Sequence, residues 1–500
     1  MLCLVMTTLV SLVTLVTGSS SVLSGPGLKP QSSVLPCRYF YINTTDLTTD
    51  ETEGLTVSIS GGDEAGRVCR PHTEILPVDP QLVVVRYKLY YTCHDLQISV
   101  RTGDQLQVPG SPLNIPGPTQ PDSCHCPVSS LDQWRHLNHC PAPSHQMRRD
   151  LERFRSGVDM RRAVEEARRL LSHGGSQCWC HYVVKGGEVY RQCYGQHTGF
   201  RMFWDSLLSW LVRRAVLPDT EIMVNLGDWP LMKRAEQEIP MISWCGSDHT
   251  TDMVLPTYEL TEASIECMGR QSLDVLASLS KNGVPWQEKT EKIFWRGRDS
   301  NKERLTLARM SKEYPDYINA SLTAFFFFRD EETKLGKSPH VPFYDFFNYK
   351  YQLCIDGTVA AYRLPYLLAG GSVVFKTQSK YFEHFYKDLK PWVHFIPVKE
   401  DLSDLVERVQ WARENDDKCF EISRNARDFV MKNLLPDHVL CYYATFLSNW
   451  AKLVTSKVEV GEEMEKLDTE ITDKRFGSCH CQNKNTHTGS TDQSHLKDEL

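Results

Sequence analysis

Hydrophobic and polar positions first alternate in short runs: "LTVSIS" from Leu55, "QLVVVRYKLYY" from Gln81 and "DLQISVRTG" from Asp95. Each run is rich in β-branched or aromatic residues and is bounded by Gly, Pro or Asp, the pattern of strands separated by turns. Their spacing predicts an all-β, immunoglobulin-like sandwich over residues 28–118, closed by "GSPLNIPG" from Gly110. This segment holds no constellation of catalytic residue types and reads as a spacer or binding module.

Beyond it the period changes. Residues 119–176 begin as a Cys- and Pro-rich linker. They continue with Leu151, Phe154, Val158, Ala163, Ala167 and Leu170 at helical spacing. Eight arginines lie between Arg148 and Arg169, and that spacing makes them a solvated helix face rather than a nucleic-acid patch. From 177 to 456, strand-like runs alternate with helical ones. "TEIMVNLGDWP" and "IPMISWC" read as strands of one half, and "KIFWRG", "SLTAFFFF", "YQLCID" and "SVVFK" as strands of another. "RLTLARMSK" and "LSDLVERVQWARE" read as helices. Such alternation predicts an α/β region with two doubly wound halves. Residues 457–500 form a polar tail.

Composition adds little to this picture: 500 residues, 41% hydrophobic, 24% charged, net charge −7. There is no basic surplus of the kind nucleic-acid binding needs. The ends of the chain say more. "LCLVMTTLVSLVTLVTG" is apolar over a secretory length, so residues 1–20 read as a signal peptide. A short signal anchor is the alternative, since no Lys or Arg precedes the apolar run. Lys497-Asp498-Glu499-Leu500 is the retrieval signal of the endoplasmic reticulum, read by its receptor. No other run is long and apolar enough to cross a bilayer. The expected place is the endoplasmic-reticulum lumen. Of 17 cysteines, removing Cys3 with the signal leaves sixteen, an even number suited to disulfides in an oxidising compartment. Three Cys-x-Cys pairs, Cys124/Cys126, Cys178/Cys180 and Cys479/Cys481, fit disulfides better than structural zinc, which favours wider spacing. Asn43 and Asn319 begin glycosylation sequons.

Candidate chemistry gathers at strand ends. "KYQLCIDGTVAAYRLPYLLAGGSVVF", from Lys350, reads as a strand, a tight corner at Gly357-Thr358, an alanine-rich helix carrying Arg363, and a second strand. Helix N-termini attract anions, and an arginine there adds a bidentate contact. In "FWRGRDSNKERL" a strand ends at Gly297 and Arg298 and Arg304 follow. Two such corners suit a diphosphate, although each alone also fits a helix cap with a surface ion pair. Neither an ATP-binding P-loop nor a dinucleotide fingerprint occurs. An Asp-x-Asp motif for a metal-held nucleotide sugar is also missing. A nucleotide-sugar enzyme built this way would neutralise its leaving diphosphate with arginines and backbone amides, without a metal. Asp228 in "VNLGDWP" follows a strand and precedes Trp229-Pro230. It reads either as a general base for a hydroxyl nucleophile or as an Asp organising the turn.

These motifs, with "SWCGS", "VLPTYE" and "HFYKDLKPWVHFIPV", resemble the Rumi-like, capsule-associated-protein-type glycosyltransferases. The strand carrying "VRYKLY" and the final strand opening at Ser111-Pro112 resemble a filamin-type repeat. With the terminal KDEL, the chain resembles the KDEL-motif-containing protein O-glucosyltransferases. The resemblance implies a GT-B fold and inverting, metal-independent transfer of glucose from UDP-glucose. The acceptors implied are serines in folded EGF-like repeats of Notch-type or extracellular-matrix proteins. It places the base on Asp228 and the donor contacts on Tyr258, Arg298, Arg304 and the segment Thr358, Val359, Ala360, Ala361, Tyr362 and Arg363. Acceptor contacts fall on Tyr194, Gly195, Gln196, His197 and Thr198. No metal or other cofactor is implied. Two departures from the founding member, Gly199 for a cysteine and Arg298 for a serine, point to a different acceptor serine or donor preference. UDP-xylose as donor, and a non-catalytic lumenal binding or chaperone-like protein, are the alternative functions. Deleting Lys497 to Leu500 is expected to release active protein into the medium of expressing cells, since a retrieval address anchors nothing by itself. Retention unchanged by the deletion, measured by immunoblot of cells and medium, would point to the N-terminal anchor instead.

Overall fold

The computed structural model describes residues 22–468, apart from 64, 172–176, 234–238, 267 and 269–272. The expected signal peptide, the Cys479/Cys481 pair and the KDEL terminus lie outside the described residues. Strands from Leu23–Ser24 to Leu113–Thr119 form two four-stranded antiparallel sheets. Phe40, Val83, Val85 and Tyr87 from one sheet meet Ile59, Leu96, Ile98 and Val100 from the other in a shared core. "QLVVVRYKLYY" is a strand only over Leu82–Lys88, and Tyr90 and Tyr91 beyond it are exposed. Its unbroken apolar run has a physical reason, because the strand is buried on both faces. Val83 and Val85 point into the sandwich, while Val84 belongs to the core of the α/β region.

The arginine-rich stretch is two helices, His145–Glu152 and Met160–Leu171, rather than one. Gly157 between them has φ +92°, a backbone no helix interior accepts. Leu151, Phe154 and Val158 are buried as their spacing requires.

The α/β region holds two large sheets. The first half is a mixed six-stranded sheet, which departs from the expected doubly wound pattern. Trp179–Lys185 and Glu188–Tyr194 pair antiparallel. Gly186 and Gly187, at φ +58° and +79°, allow the two-residue hairpin turn between them. Cys180–Cys193 bridges this hairpin. Thr220–Asn225, Met241–Ser243 and Met253–Val254 add a parallel portion. Glu465–Lys466, in the segment expected to be a polar tail, pairs with Tyr190 and Arg191, and Leu467 is buried. The second half is a five-stranded, all-parallel sheet in the order Ile318–Ala324, Thr290–Arg298, Tyr349–Cys354, Val373–Thr377, Ile396–Val398. "SLTAFFFF" leaves the sheet at Ala324 because Asp299 accepts the amides of Phe326, Phe327 and Phe328 at 2.8, 2.8 and 2.6 Å.

Several ties join the halves. Helix Pro436–Trp450 returns from the second half to the first, where Trp450 Nε1 donates to Glu221 O at 2.7 Å. Cys140–Cys441 locks that helix in place across a separation of 301 residues. Gly246–Ser247 of the first half pairs with Tyr381–Phe382 of the second in a two-stranded sheet. A Cβ at Gly246 would lie 2.7 Å from Val254 Cγ2 and 2.8 Å from the Phe382 ring. Gly246→Val should therefore overpack this junction, costing about 1–3 kcal/mol. A lower Tm with faster amide exchange at residues 381–382 is the expected outcome, and wild-type exchange there would show that the junction tolerates the side chain.

Candidate active site

The second half places the site through its strand order, which reverses between Thr290–Arg298 and Tyr349–Cys354. In open parallel sheets, ligands bind beyond the carboxyl ends of the strands at such a reversal. "FWRGRDSNKERL" builds the corner residue by residue. Asn301 caps helix Lys302–Glu313, accepting from the Arg304 N–H at 3.0 Å, while its amide nitrogen donates to Asp356 O (2.9 Å) and Gly357 O (3.1 Å). Arg304 spans the reversal. Its Nε donates to Asp356 O (2.7 Å), Nη2 to Ile355 O (3.1 Å), and Nη1 to Arg298 O (3.1 Å) and Ser300 Oγ (3.2 Å). Four of its five N–H donors are thus committed to holding strand ends together. Arg298 stays exposed at the lip, 5.8 Å from the Phe326 ring centroid.

The helix expected to open at Gly357 begins instead at Leu364, with Arg363 as its N-cap residue. Pro365 decides this. In a helix begun at Thr358 it would lack one hydrogen bond and clash with the Ala361 carbonyl, whereas the first turn accepts it readily. Thr358 to Arg363 are therefore an open segment. Their backbone N–H groups make no hydrogen bond among the described residues, and unpaired amides in succession form an anion-binding concavity. Arg363 Nη1 donates to Arg296 O at 2.8 Å. Removal from water pushes both arginines below the usual guanidinium value, buried Arg304 to about 9, with the charge of Arg363 adding to the push. Guanidinium groups nonetheless stay protonated in proteins. The corner thus concentrates positive charge at the cleft.

Across the cleft the first half presents Asp228, Tyr258 and Glu259. The turn that carries Asp228 is organised by other residues. Asn225 Oδ1 accepts from Gly227 N at 2.9 Å, and its Nδ2 donates to Trp229 O (2.6 Å) and Ser243 Oγ (3.0 Å). Asp252 accepts from Leu231 N and Met232 N, each at 2.8 Å. Cys245 Sγ donates to Asp228 O at 3.4 Å. The Asp228 carboxylate makes no hydrogen bond among the described residues. Burial raises its pKa, partly offset by Arg298 across the cleft. Tyr258 packs edge-on against Tyr362 at 5.8 Å, closing one wall. Burial also raises Glu259, opposed by Arg363.

The cleft encloses about 440 Å³ and brings together Asp228, Tyr258, Arg298, Arg304 and Thr358 to Arg363, a volume suited to a small ligand. Tyr194 to Thr198 do not line it. Tyr194 stacks on Trp179 at 4.3 Å, under the Arg168 guanidinium at 4.9 Å. Gly195, at φ +95°, leaves no room for a Cβ beside Cys178 Sγ. Just beyond the loop, the Phe200 ring lies 4.9 Å from that of Tyr258, which lines the cleft. Glu259, Arg296, His340 and Phe343 line the cleft without having been singled out in the sequence. Glu259 was within reach, as the residue after Tyr258 in a strand-to-helix motif, whereas His340 comes from a loop and Phe343 opens the short helical turn Phe343–Asn348, neither with a chemical signature. Of the two sequons, Asn43 lies at a strand end, partly exposed. Asn319 sits half-buried on the edge strand of the parallel sheet, its Nδ2 donating to Tyr349 Oη at 2.8 Å and its Oδ1 accepting from Arg296 at 2.9 Å.

Residues 135–495 match the family described as Glycosyl transferase family 90. The chain is 42% identical over 478 residues to Protein O-glucosyltransferase 2 of Danio rerio, covering 93% of each chain. It is 39% identical over 482 residues to Protein O-glucosyltransferase 3 of Homo sapiens, again covering 93% of each. Human Protein O-glucosyltransferase 1 is 30% identical over 326 residues, 62% of this chain and 79% of that one.

Arg304 and Arg363 should respond differently to truncation. Arg363→Ala removes a charge that faces the cleft and should cost about 3 kcal/mol of interaction with a bound or departing diphosphate, with little change in Tm. Arg304→Ala also unties the strand ends and should lower Tm as well. Calorimetry with UDP beside thermal unfolding checks both, and equal Tm losses would contradict this division of labour.

Proposed function

The chain belongs to glycosyl transferase family 90, within the protein O-glucosyltransferase 2/3 group, and from that premise we propose that it transfers glucose from UDP-glucose to serines of EGF-like repeats by an inverting, metal-independent displacement. Its α/β region is read as GT-B and its N-terminal sandwich as filamin-type. The place of action is the endoplasmic-reticulum lumen, and no described helix is long and apolar enough to cross a membrane.

One observation carries the reading. The Asp228 carboxylate is relieved of turn duty by Asn225 and Asp252 and faces, across the cleft, a segment of unpaired amides flanked by Arg298 and Arg363. Proton acceptor and anion trap stand on opposite walls, as a displacement requires. The serine hydroxyl loses its proton to Asp228 as its oxygen bonds to the anomeric carbon. The bond from that carbon to the diphosphate oxygen breaks on the opposite face, and the electron pair leaves with UDP. Negative charge growing on the diphosphate meets Arg363, Arg298 and the amides of 358–363, which are fixed before the reaction begins. Arg304 supports this wall chiefly by holding its backbone. Burial of Asp228 raises its basicity, which suits a general base. The exposed loop Tyr194 to Thr198, joined to the cleft by Phe200, is read as the acceptor's side.

Asp228→Asn tests the reading. The variant keeps the shape of the side chain but cannot take a proton, so transfer to a folded EGF-like repeat should fall by roughly 10²–10⁴-fold. UDP affinity and Tm should stay near wild type, because no hydrogen bond of the fold is lost. In the wild-type protein, kcat should decline as pH falls through the raised pKa of Asp228, earlier than an ordinary carboxylate would dictate. Near-normal turnover by the Asn variant would remove Asp228 from the chemistry.

A further inference from the structure

The sandwich strand Leu82–Lys88 carries Arg86, which is 5% exposed and reaches out of the sandwich into the α/β region. Its Nε and Nη2 hold Glu74 Oε2 on the adjacent strand at 2.8 and 2.7 Å, and its Nη1 donates to Asp274 Oδ2 at 2.9 Å. The other oxygen of Asp274 caps helix Val275–Ser280, accepting from the Ala277 N–H at 2.7 Å. One carboxylate is therefore shared between the sandwich and the start of this helix, and with both oxygens engaged it cannot rotate freely.

That helix stands behind the cleft. Leu273, just before Asp274, lines the cleft. The helix packs on Leu364–Ala369, whose N-cap residue is Arg363. At its far end the sandwich takes hold again, with the Val78 carbonyl accepting from Asn282 Nδ2 (3.1 Å) and Arg427 Nη2 (2.6 Å). Arg427 also donates to Leu279 O at 2.9 Å, at the last turn of the helix. A six-residue helix has no stability of its own. Its position is set by what it packs against, and at both ends that includes the sandwich.

We propose that the N-terminal sandwich braces the donor wall of the cleft, and that Arg86 is a positioning residue which, through Asp274, fixes the helix behind Leu273 and Arg363 and so sets the affinity for a nucleoside diphosphate. The proposal rests on the donor-site reading above. A buried ion pair seldom stabilises a fold more than apolar residues of the same volume would. What a directional contact from Arg86 supplies, beside the Val78 carbonyl, is register between two units whose shared surface also buries apolar side chains, with Leu76, Val78 and Val84 of the sandwich inside the core of the α/β region.

The test separates position from stability. Arg86→Met leaves Asp274 buried without its cation and should lower Tm. The double variant Arg86→Met with Asp274→Asn removes both charges while Asn keeps the helix cap, and its Tm should recover toward wild type. UDP affinity by calorimetry should be weakened about tenfold in both variants, whereas Arg86→Lys should restore most of it. A stable double variant that binds UDP as wild type does would overturn the brace. Should Arg86→Met fail to fold, the double variant and Arg86→Lys carry the comparison. If the wild-type protein itself bound no UDP, the donor-site reading would fall first and the brace with it.

Discussion

The guanidinium of Arg304 ties together the two strands between which the parallel sheet reverses its order, and the site depends on that knot. It holds carbonyls at residues 298, 355 and 356 within one hydrogen-bonded group. Those carbonyls lie at or just beyond the ends of strands that would otherwise diverge into loops. A buried cation facing three carbonyls is tolerable only because the donors are satisfied, and satisfaction fixes where each strand must end. Asn301 repeats the tie with neutral bonds to 356 and 357. With both strand ends pinned, Arg298 and the segment from Thr358 to Arg363 can be held open without regular hydrogen bonding of their own.

The opposite wall obeys the same division of labour. The turn after Thr220–Asn225 is held by Asn225 and Asp252, so the residue that faces the cleft carries no structural task. A carboxylate that also capped a turn would have its lone pairs engaged and its basicity lowered. Partial burial works the other way, and Arg298, whose charge opposes it, lies across the cleft rather than in contact as an ion pair. The two-stranded junction of 246–247 with 381–382 fixes the separation of the walls beside Asp228. Trp229 and Tyr381, their rings 5.8 Å apart, cross the same seam. The halves therefore meet through paired backbone and packed side chains.

Much of the site was legible in the sequence because its chemistry lies in contiguous motifs at strand ends. "VNLGDWP", "FWRGRDSNKERL" and "DGTVAAYRLPYL" each carry cleft-lining residues in the segment that follows a strand. What stayed hidden depends on long-range partners. The structural task of Arg304 was hidden because nothing local shows that four carbonyl and hydroxyl acceptors converge on it. The alanine-rich run after Gly357 suggested a helix from composition, although Pro365 limits where that helix can start. The mixed sheet of the first half turns on the local Gly186-Gly187 pair, but its edge is completed by residues 465–466, more than 270 positions later. "LVVVRYK" announced a strand, yet not that its second face would be covered by another domain.

That second face changes what the sandwich is. A module tethered by a linker would show one apolar face per sheet and a polar outer surface, as alternation predicts. Here the outer face of one sheet contributes Tyr39, Leu76, Val78 and Val84 to the core of the α/β region, and Tyr39 Oη hydrogen-bonds Asp437 on the returning C-terminal helix. The same helix is bound to the first half by Cys140–Cys441 and by Trp450. Sandwich, first half and C-terminal helix thus enclose one continuous interior. Removing the sandwich would expose apolar surface rather than free a spare domain, so its other sheet, which faces away, is the part of it left for other contacts.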